Sequence, residues 1–354
     1  MSVQLGNRSI GDGYPVFIVF EAGPTHDGLA SAMELVRCAA EAGADAVKFQ
    51  ILDPDRLVPD KAQMFSYEIL LDKNTGARIK KTEPLYNILA RRYLTLDQWR
   101  QVKLYCDDIG IIFFSTAMFE EEVDFLIQID SPTIKICSGD INHLPFIRYC
   151  ARTGAVIQLD TGNATIGEVE RAFDEVLSTG NENVIIHNCP SGYPARFESI
   201  NLKMIPTLKQ MFGCPAAFSD HTPGWEMDIA AVALGANMVE KTITLDRTTP
   251  SVEHLFSIEP DEMKAFVSSI RNLETALGAP RRQLGPEERM RGVGARRSIV
   301  LKKDVKKDQA IDDSVIDYAR PGVGIPPDMA DVVSKKRFTK DLMAGHVLNW
   351  GDFK

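Results

Sequence analysis

The sequence predicts an α/β protein in which a (β/α)8 barrel is followed by a small, mostly-β domain. Three observations support this prediction: a strand–helix–strand unit near the N-terminus, a repeated alternation of apolar strands with amphipathic helices, and a change of pattern after residue 280. A doubly wound open sheet is the alternative. No GxGxxG motif follows the first strand, however, and about eight strand–helix units exceed what most open sheets contain.

The opening unit spans residues 16–50 and is interpreted as strand, polar loop, amphipathic helix and second strand, with Gly43 fitting the helix C-cap. The second strand contains Lys48, and a lysine inside an apolar strand is costly to bury without a negative partner. Glu21 and Gln50 stand at the ends of the two strands. Ligands of parallel α/β proteins bind at this end, so we expect all three side chains at a site, with a plain Lys48–Glu21 ion pair as the alternative.

The alternation continues along the chain. The predicted strands are residues 16–20, 46–49, 111–116, 133–137, 155–160, 183–188, 216–219 and 238–243. The predicted helices are residues 31–42, 96–108, 120–129, 144–152, 166–178, 202–211, 225–234 and 261–277. The connection from residue 51 to residue 94 is unusually long, which suggests a lid or a substrate-shaping excursion at the catalytic end of the barrel.

Near residue 280 the composition changes. Glycine, proline and charged residues crowd into residues 281–295, which we interpret as a linker between a barrel domain (1–280) and a second domain (296–354). The second domain shows short alternating segments separated by turns. A core of this size is marginal alone, so a domain swap onto a partner's barrel would stabilise it.

Composition excludes several classes of partner. The net charge of −9 argues against general nucleic-acid binding, although it permits a local basic pocket for an anionic substrate. No apolar run reaches the roughly 18–20 residues that span a bilayer, and no signal-peptide core is evident, so no membrane partner is expected. The six cysteines are scattered without a CxxC pair, which indicates reduced thiols in a cytoplasmic protein.

Polar side chains recur where the predicted strands end. They include Glu21, Lys48, Gln50, Ser115, Thr116, Lys135, Ser138, Asp140, Asp160, Thr161, His187, Asn188, Ser191, Tyr193, Ser219, Asp220, His221, Glu240, Lys241 and Thr242. Two strand-borne lysines with hydroxyl groups predict a pocket for phosphate or carboxylate. The histidines after the sixth and seventh strands suit a divalent metal or proton transfer, with hydrogen-bonded core histidines as the alternative.

Several motifs together resemble the N-acetylneuraminate (sialic acid) synthase family. They are EAGPTHDG, AGADAVKFQ, FFSTAMF, IKICSGDINHLP, HNCPSGYP and FSDHTPGW, and the segment RRSIVLKKDVKKDQAIDDSVIDYARPGVGI resembles the family's C-terminal SAF, or antifreeze-like, domain. The resemblance implies a TIM barrel with a SAF domain in a domain-swapped homodimer. It also implies condensation of phosphoenolpyruvate with N-acetylmannosamine or a deoxy-diacetamido sugar, assisted by Mn²⁺ or Mg²⁺, to give a nonulosonic acid and phosphate.

The resemblance also implies roles for individual residues. The phosphoenolpyruvate contacts would be Lys48, Thr116, Lys135, Ser138 and Ser219. The acceptor contacts would be Gln50, Asp140, Tyr193 and, supplied by the partner's SAF domain, Arg320. The catalytic residues would be Glu21, Lys48, Lys135 and Glu253, with one of the two glutamates orienting or deprotonating the attacking water. His221 would be a metal ligand.

Two positions depart from the family pattern. Thr242 stands where the second metal histidine is expected, and Asp160 replaces a phosphate-binding serine, where a carboxylate repels phosphate unless it is protonated, paired or bound to metal. One hypothesis is that Asp160 and His187 rebuild the metal site with His221. The other is that the metal is lost and the enzyme uses a different donor or acceptor in carbon–carbon bond chemistry. A catalytically silent sugar-binding or assembly protein is the non-enzymatic alternative.

Overall fold

The computed structural model describes residues 2–354. The chain divides into two compact units, of which the first ends at Gly278 and the second comprises Ala279–Lys354. None of the helices within the described residues is both long enough and apolar enough to cross a membrane.

A short β-hairpin precedes the barrel. Its strands, β1 (Ser2–Leu5) and β2 (Arg8–Gly11), pair antiparallel. Their buried side chains pack against residues early in the barrel strands, including Phe17 and Met238. The hairpin therefore covers the amino end of the barrel, away from the strand ends that carry the predicted site. Four-residue strands are too short to show a period in the sequence, so the hairpin was not predicted.

The predicted opening unit is confirmed. It consists of β3 (Phe17–Glu21), α1 (Leu29–Ala42) and β4 (Ala46–Gln50). The helix ends at Gly43, whose φ of 87° lies in the left-handed region that glycine adopts without steric cost. The Gly43 N–H donates to the carbonyl of Ala40 at 3.0 Å, which satisfies one of the carbonyls left free at the helix end.

The long connection after β4 is folded. It contains α2 (Pro54–Leu57), β5 (Met64–Leu70), β6 (Arg78–Pro84) and α3 (Leu85–Ala90). β5 and β6 pair antiparallel over their full length. Tyr67 and Ile88 form a buried cluster with Val252, so the excursion packs against the loop that follows the last barrel strand.

The remaining barrel elements alternate as predicted. In chain order they are α4 (Leu96–Ile109), β7 (Ile112–Thr116), α5 (Glu120–Gln128), β8 (Thr133–Ile136), α6 (Leu144–Arg152), β9 (Val156–Asp160), α7 (Ile166–Leu177), β10 (Val184–Asn188), α8 (Phe197–Ile200), α9 (Met204–Phe212), β11 (Ala216–Asp220), α10 (Glu226–Ala233), β12 (Met238–Thr242) and α11 (Pro260–Leu277). Strands β3, β4 and β7–β12 are parallel and close into a barrel, which confirms the predicted (β/α)8 architecture.

Side-chain alternation along β4 explains how a lysine is buried there. Val47 and Phe49 belong to the core between strands and helices. Lys48 points the other way, toward the barrel axis, where it meets Glu21 and Glu240. The period of two along a strand therefore places the apolar and the charged side chains on opposite faces of the same buried strand.

The second unit has its own small core. Its elements are α12 (Pro286–Ala295), β13 (Ser298–Leu301), β14 (Ile316–Ala319) and α13 (Ala330–Val333). β13 and β14 pair antiparallel, and Ile299 and Phe338 belong to the buried cluster. Residues 286–295, expected as linker, are helical because Pro286 and Glu288 suit a helix N-terminus. No residue of this helix is buried, so it has no apolar stripe that would have predicted it.

Candidate active site

A cavity of about 370 Å³ opens at the carboxyl ends of the barrel strands. The predicted site residues that line it are Glu21, Lys48, Gln50, Thr116, Ser138, Asp160, Tyr193, His221 and Glu253. Lys135, Ser219 and His187 are fully or almost fully buried and are joined to this lining by hydrogen bonds. The barrel therefore brings together most of the residues that the sequence indicated.

Two predicted acceptor contacts lie elsewhere. Asp140 belongs to a short turn after β8, accepts a hydrogen bond from the Cys137 thiol at 3.2 Å and does not line the cavity. Its carboxylate is engaged locally, and the expected contact of Asp140 with an acceptor stays a prediction. Arg320 follows β14 in the second unit and is exposed. Its role depends on a partner chain and stays a prediction.

Two buried lysines and three buried carboxylates form a continuous charged array at the cavity. Lys48 contacts Glu21, and its Nζ lies 3.1 Å from Oε1 of Glu240. Lys135 Nζ lies 2.7 Å from the same oxygen and 3.1 Å from Oδ2 of Asp160. Glu240 therefore links the two lysines. Sequence reasoning named Glu240 only as a strand-end polar residue; the missed signal was a carboxylate inside an apolar strand.

Burial and pairing set the protonation of this array. Burial alone would lower the pKa of Lys48, but Glu21 and Glu240 outweigh it and hold that pKa well above its ordinary value. Burial alone would raise the pKa of Glu240, but Lys135 and Lys48 hold it well below its ordinary value. For Glu21 burial prevails and raises the pKa. The lysines and Glu240 are therefore charged at neutral pH, whereas Glu21 binds a proton more readily than a solvated glutamate.

The loop after β3 holds Glu21 in place. The Gly23 N–H donates to Oε1 of Glu21 at 2.7 Å. A Cβ at Gly23 would lie 2.7 Å from the backbone nitrogen of Gln50, so only glycine permits this approach of the loop to β4. On the next strand, Thr116 Oγ1 is buried and has no hydrogen-bond partner among residues 2–354. That hydroxyl is free to bind a ligand in the cavity.

His187 is a core residue. Its Nδ1 lies 2.9 Å from Ser219 Oγ and its Nε2 lies 2.8 Å from Gln158 Oε1. Burial, assisted by the charge of Lys135, lowers the pKa of His187 to about 3, so the ring is neutral. Both ring nitrogens are therefore engaged in hydrogen bonds with protein side chains. These two contacts favour the alternative of a hydrogen-bonded core histidine, and the hypothesis that His187 helps to rebuild a metal site stays a prediction.

The other expected metal ligands do not complete a site. His221 lines the cavity, with Nδ1 3.1 Å from the carbonyl of Pro190, and Thr242 is buried and does not line it. Asp160 is engaged by Lys135. Within residues 2–354, three ligand-type side chains approach one another closely only at Glu259, Asp261 and Glu262, which do not line this cavity. The residues at the cavity do not fit a metal centre with three protein ligands.

The lining also includes Glu253 and Arg92, and the sequence indicated no role for Arg92. Glu253 has a φ of 76°, a strained conformation for a glutamate and one that is concentrated at functional sites. Burial raises the pKa of Glu253 to about 7, although Arg92 acts in the opposite direction. Both protonation states of Glu253 are therefore populated near neutral pH, as a proton-transfer group requires.

Comparison with known proteins agrees with this geometry. The NeuB family matches residues 35–282. The N,N'-diacetyllegionaminic acid synthase of Legionella pneumophila is 34% identical over 350 residues, which cover 98% of this chain and 96% of that protein. The human N-acetylneuraminate-9-phosphate synthase is 30% identical over 335 residues, which cover 93% of this chain and 90% of that protein.

Solved structures share the architecture. The Bacillus subtilis spore coat polysaccharide biosynthesis protein spsE matches 100% of this chain and 99% of its own with a TM-score of 0.66 at 31% identity. An N-acetylneuraminic acid synthetase from Leptospira borgpetersenii, in complex with citrate, matches 82% of this chain and 95% of its own with a TM-score of 0.70 at 28% identity. The family predicted from the motifs is confirmed: this chain belongs to the NeuB, or N-acetylneuraminate synthase, family and is an enzyme.

Proposed function

We propose that this enzyme condenses phosphoenolpyruvate with an N-acetylated aldose, N-acetylmannosamine or a deoxy-diacetamido sugar, to give a nonulosonic acid and phosphate. The observation that carries the proposal is a pair of charged, buried lysines at the cavity: Lys48 lines it, and Lys135 lies directly behind two lining carboxylates, Glu240 and Asp160. Cations in a buried site bind an anionic donor strongly because the surroundings screen them little.

The donor would bind along the charged array. Its phosphate and carboxylate oxygens would replace part of the carboxylate shell around the two lysines, and the hydroxyls of Thr116, Ser138 and Ser219 would donate to the same groups. When the carbon–oxygen bond breaks, negative charge develops on the departing phosphate, and the two lysines stabilise that charge. The array therefore supplies binding and leaving-group stabilisation through the same two side chains.

The chemistry needs proton transfers at two places. The enol carbon of the donor forms a bond to the aldehyde carbon, and the aldehyde oxygen must gain a proton. Water then adds to the oxocarbenium carbon, loses a proton, and the tetrahedral intermediate expels phosphate. Glu253, with its pKa of about 7, suits donation to the aldehyde oxygen, and Glu21 suits removal of the proton from water.

Phosphate release tests the proposed function. We expect inorganic phosphate to be released only when phosphoenolpyruvate and an accepted aldose are both present, in a one-to-one ratio with the new acid. Mixtures without aldose are the control, because simple hydrolysis of the donor would release phosphate there too. Absence of aldose-dependent release across a panel of N-acetylated aldoses would contradict the proposal.

The pH dependence should report the protonation of Glu253. Because donation requires the protonated carboxyl, we expect kcat/KM to fall as the pH rises through about 7. Glu253→Gln should lower kcat about 100-fold and remove that limb of the profile. A variant that keeps the limb would show that another group controls it.

We also propose that two copies assemble so that the partner's Arg320 reaches each cavity, as the resemblance to SAF-domain synthases implies, and that the enzyme acts in the cytoplasm, where its six free thiols stay reduced. A sedimentation measurement that gives the mass of one copy would contradict the assembly.

A further inference from the structure

Arg92 is a buried guanidinium without a partner among residues 2–354. It follows α3 in the excursion between β4 and α4, is 5% exposed and lines the cavity. Its Nε and Nη2 are buried and have no hydrogen-bond partner, and its side chain forms no ion pair within residues 2–354. Native proteins rarely leave a buried charge uncompensated, so the missing partner calls for a functional explanation.

The adjacent arginine shows that the same segment can satisfy such a group. Arg91 donates from Nη1 and Nη2 to the Glu83 carboxylate at 2.9 and 2.8 Å and is partly exposed. Glu253 is the carboxyl with the largest electrostatic effect on Arg92, yet the two form no ion pair. Glu253 is also partly protonated near neutral pH, which leaves the charge of Arg92 available.

The two free nitrogens define the shape of the missing ligand. Nε and Nη2 lie on one edge of the guanidinium, and that edge matches two oxygens of a carboxylate or a phosphate. The cavity lining includes the apolar residues Leu85, Ile88 and Leu89, which precede Arg92 in the excursion, and the largest acidic influence on Arg92 is that of Glu253. A neutral hydroxyl or amide oxygen would accept a hydrogen bond there but would leave the buried charge uncompensated.

We propose that Arg92 binds a carboxylate or phosphate carried by the acceptor aldose, away from its aldehyde carbon, so that the preferred acceptor is anionic. This inference rests on the proposed function, because it assigns the anionic groups of the donor to Lys48 and Lys135 and thereby leaves Arg92 for the second substrate. The excursion from residue 51 to residue 94 then has a specific purpose: it brings a third cation to the cavity.

Binding measurements on the full chain test this inference without requiring turnover. Three aldoses that differ only at C6 are compared by calorimetry: N-acetylmannosamine, its 6-phosphate and the corresponding 6-carboxylate. We expect at least one anionic aldose to bind about 10-fold to 100-fold more tightly than the neutral one. The two anionic probes distinguish a phosphate from a carboxylate. Arg92→Met should abolish the preference, and Arg92→Lys should restore only part of it because lysine lacks the two-nitrogen edge.

Arg91→Met is the matched control and should leave all three affinities unchanged. Arg92→Met should not lower the melting temperature, since it removes an unpaired buried charge; a lower one would indicate a structural arginine and overturn the inference. Equal binding of the neutral and anionic aldoses, or a loss in Arg92→Met of phosphoenolpyruvate affinity alone, would overturn it too. If the neutral aldose gives phosphate release that is independent of Arg92, the inference fails and the proposed function stands. Arg92-dependent binding of anionic aldoses without phosphate release in any mixture would support the inference and contradict the proposed function.

Discussion

Replacement of Lys135 by methionine is expected to produce the largest loss of both stability and activity. Lys135 is fully buried and contacts both oxygens of Glu240, at 2.7 and 2.8 Å, as well as Ser219 and Asp160. Lys135→Met leaves these carboxylates without their shared cation, and breaking a buried pair costs about 3–5 kcal/mol. Denaturant titration should show that decrease, and aldose-dependent phosphate release should fall at least about 100-fold.

A second substitution separates the two effects. Lys135→Met with Glu240→Gln removes one uncompensated carboxylate, so we expect part of the lost stability to return while activity stays low. Lys209→Met, which removes a lysine from a partly exposed pair with Asp12, is the matched control and should change stability by less than about 1 kcal/mol. Activity of Lys135→Met close to that of the unaltered enzyme would show that the donor does not bind at this array.

Asp160→Asn is expected to strengthen donor binding. Asp160 lines the cavity, and its Oδ2 lies 3.1 Å from Lys135 Nζ, so its charge competes with an anionic donor for that lysine. Two like charges about 4 Å apart in such surroundings repel by about 4 kcal/mol, part of which the paired lysine offsets. Asparagine keeps the shape of the side chain and removes the charge. We expect the KM for phosphoenolpyruvate to fall about 10-fold.

Initial rates at a saturating aldose concentration measure this change. Asp124→Asn removes an exposed carboxylate that accepts a hydrogen bond from Tyr149 at 2.7 Å, and it should leave the KM unchanged. A KM for phosphoenolpyruvate that stays constant or rises in Asp160→Asn would contradict the prediction. It would show that the Asp160 carboxylate does not compete with the donor for Lys135.

The barrel was predictable because each of its signals is local. A buried parallel strand is a short apolar run and a covering helix has a repeat near 3.6, so β3, β4 and β7–β12 were located from the sequence alone. Lys48 and Lys135 were conspicuous for the same reason, as charges within apolar strands. The hairpin β5–β6 escaped prediction, since its second strand, Arg78–Pro84, is almost wholly polar on both faces.

The sequence by itself determined the family, the barrel and the two lysines within barrel strands, because motif order and hydrophobic period are properties of neighbouring residues. Tertiary structure alone decided how distant side chains pair. Closure of the barrel joins β12 to β3 and places Glu240 between Lys48 and Lys135, although 192 positions separate it from Lys48. The same packing gives both ring nitrogens of His187 a hydrogen-bond partner and leaves Nε and Nη2 of Arg92 without one in the described part of the chain. A side chain's chemistry depends on which groups surround it, and in a barrel those groups come from strands far apart in the chain.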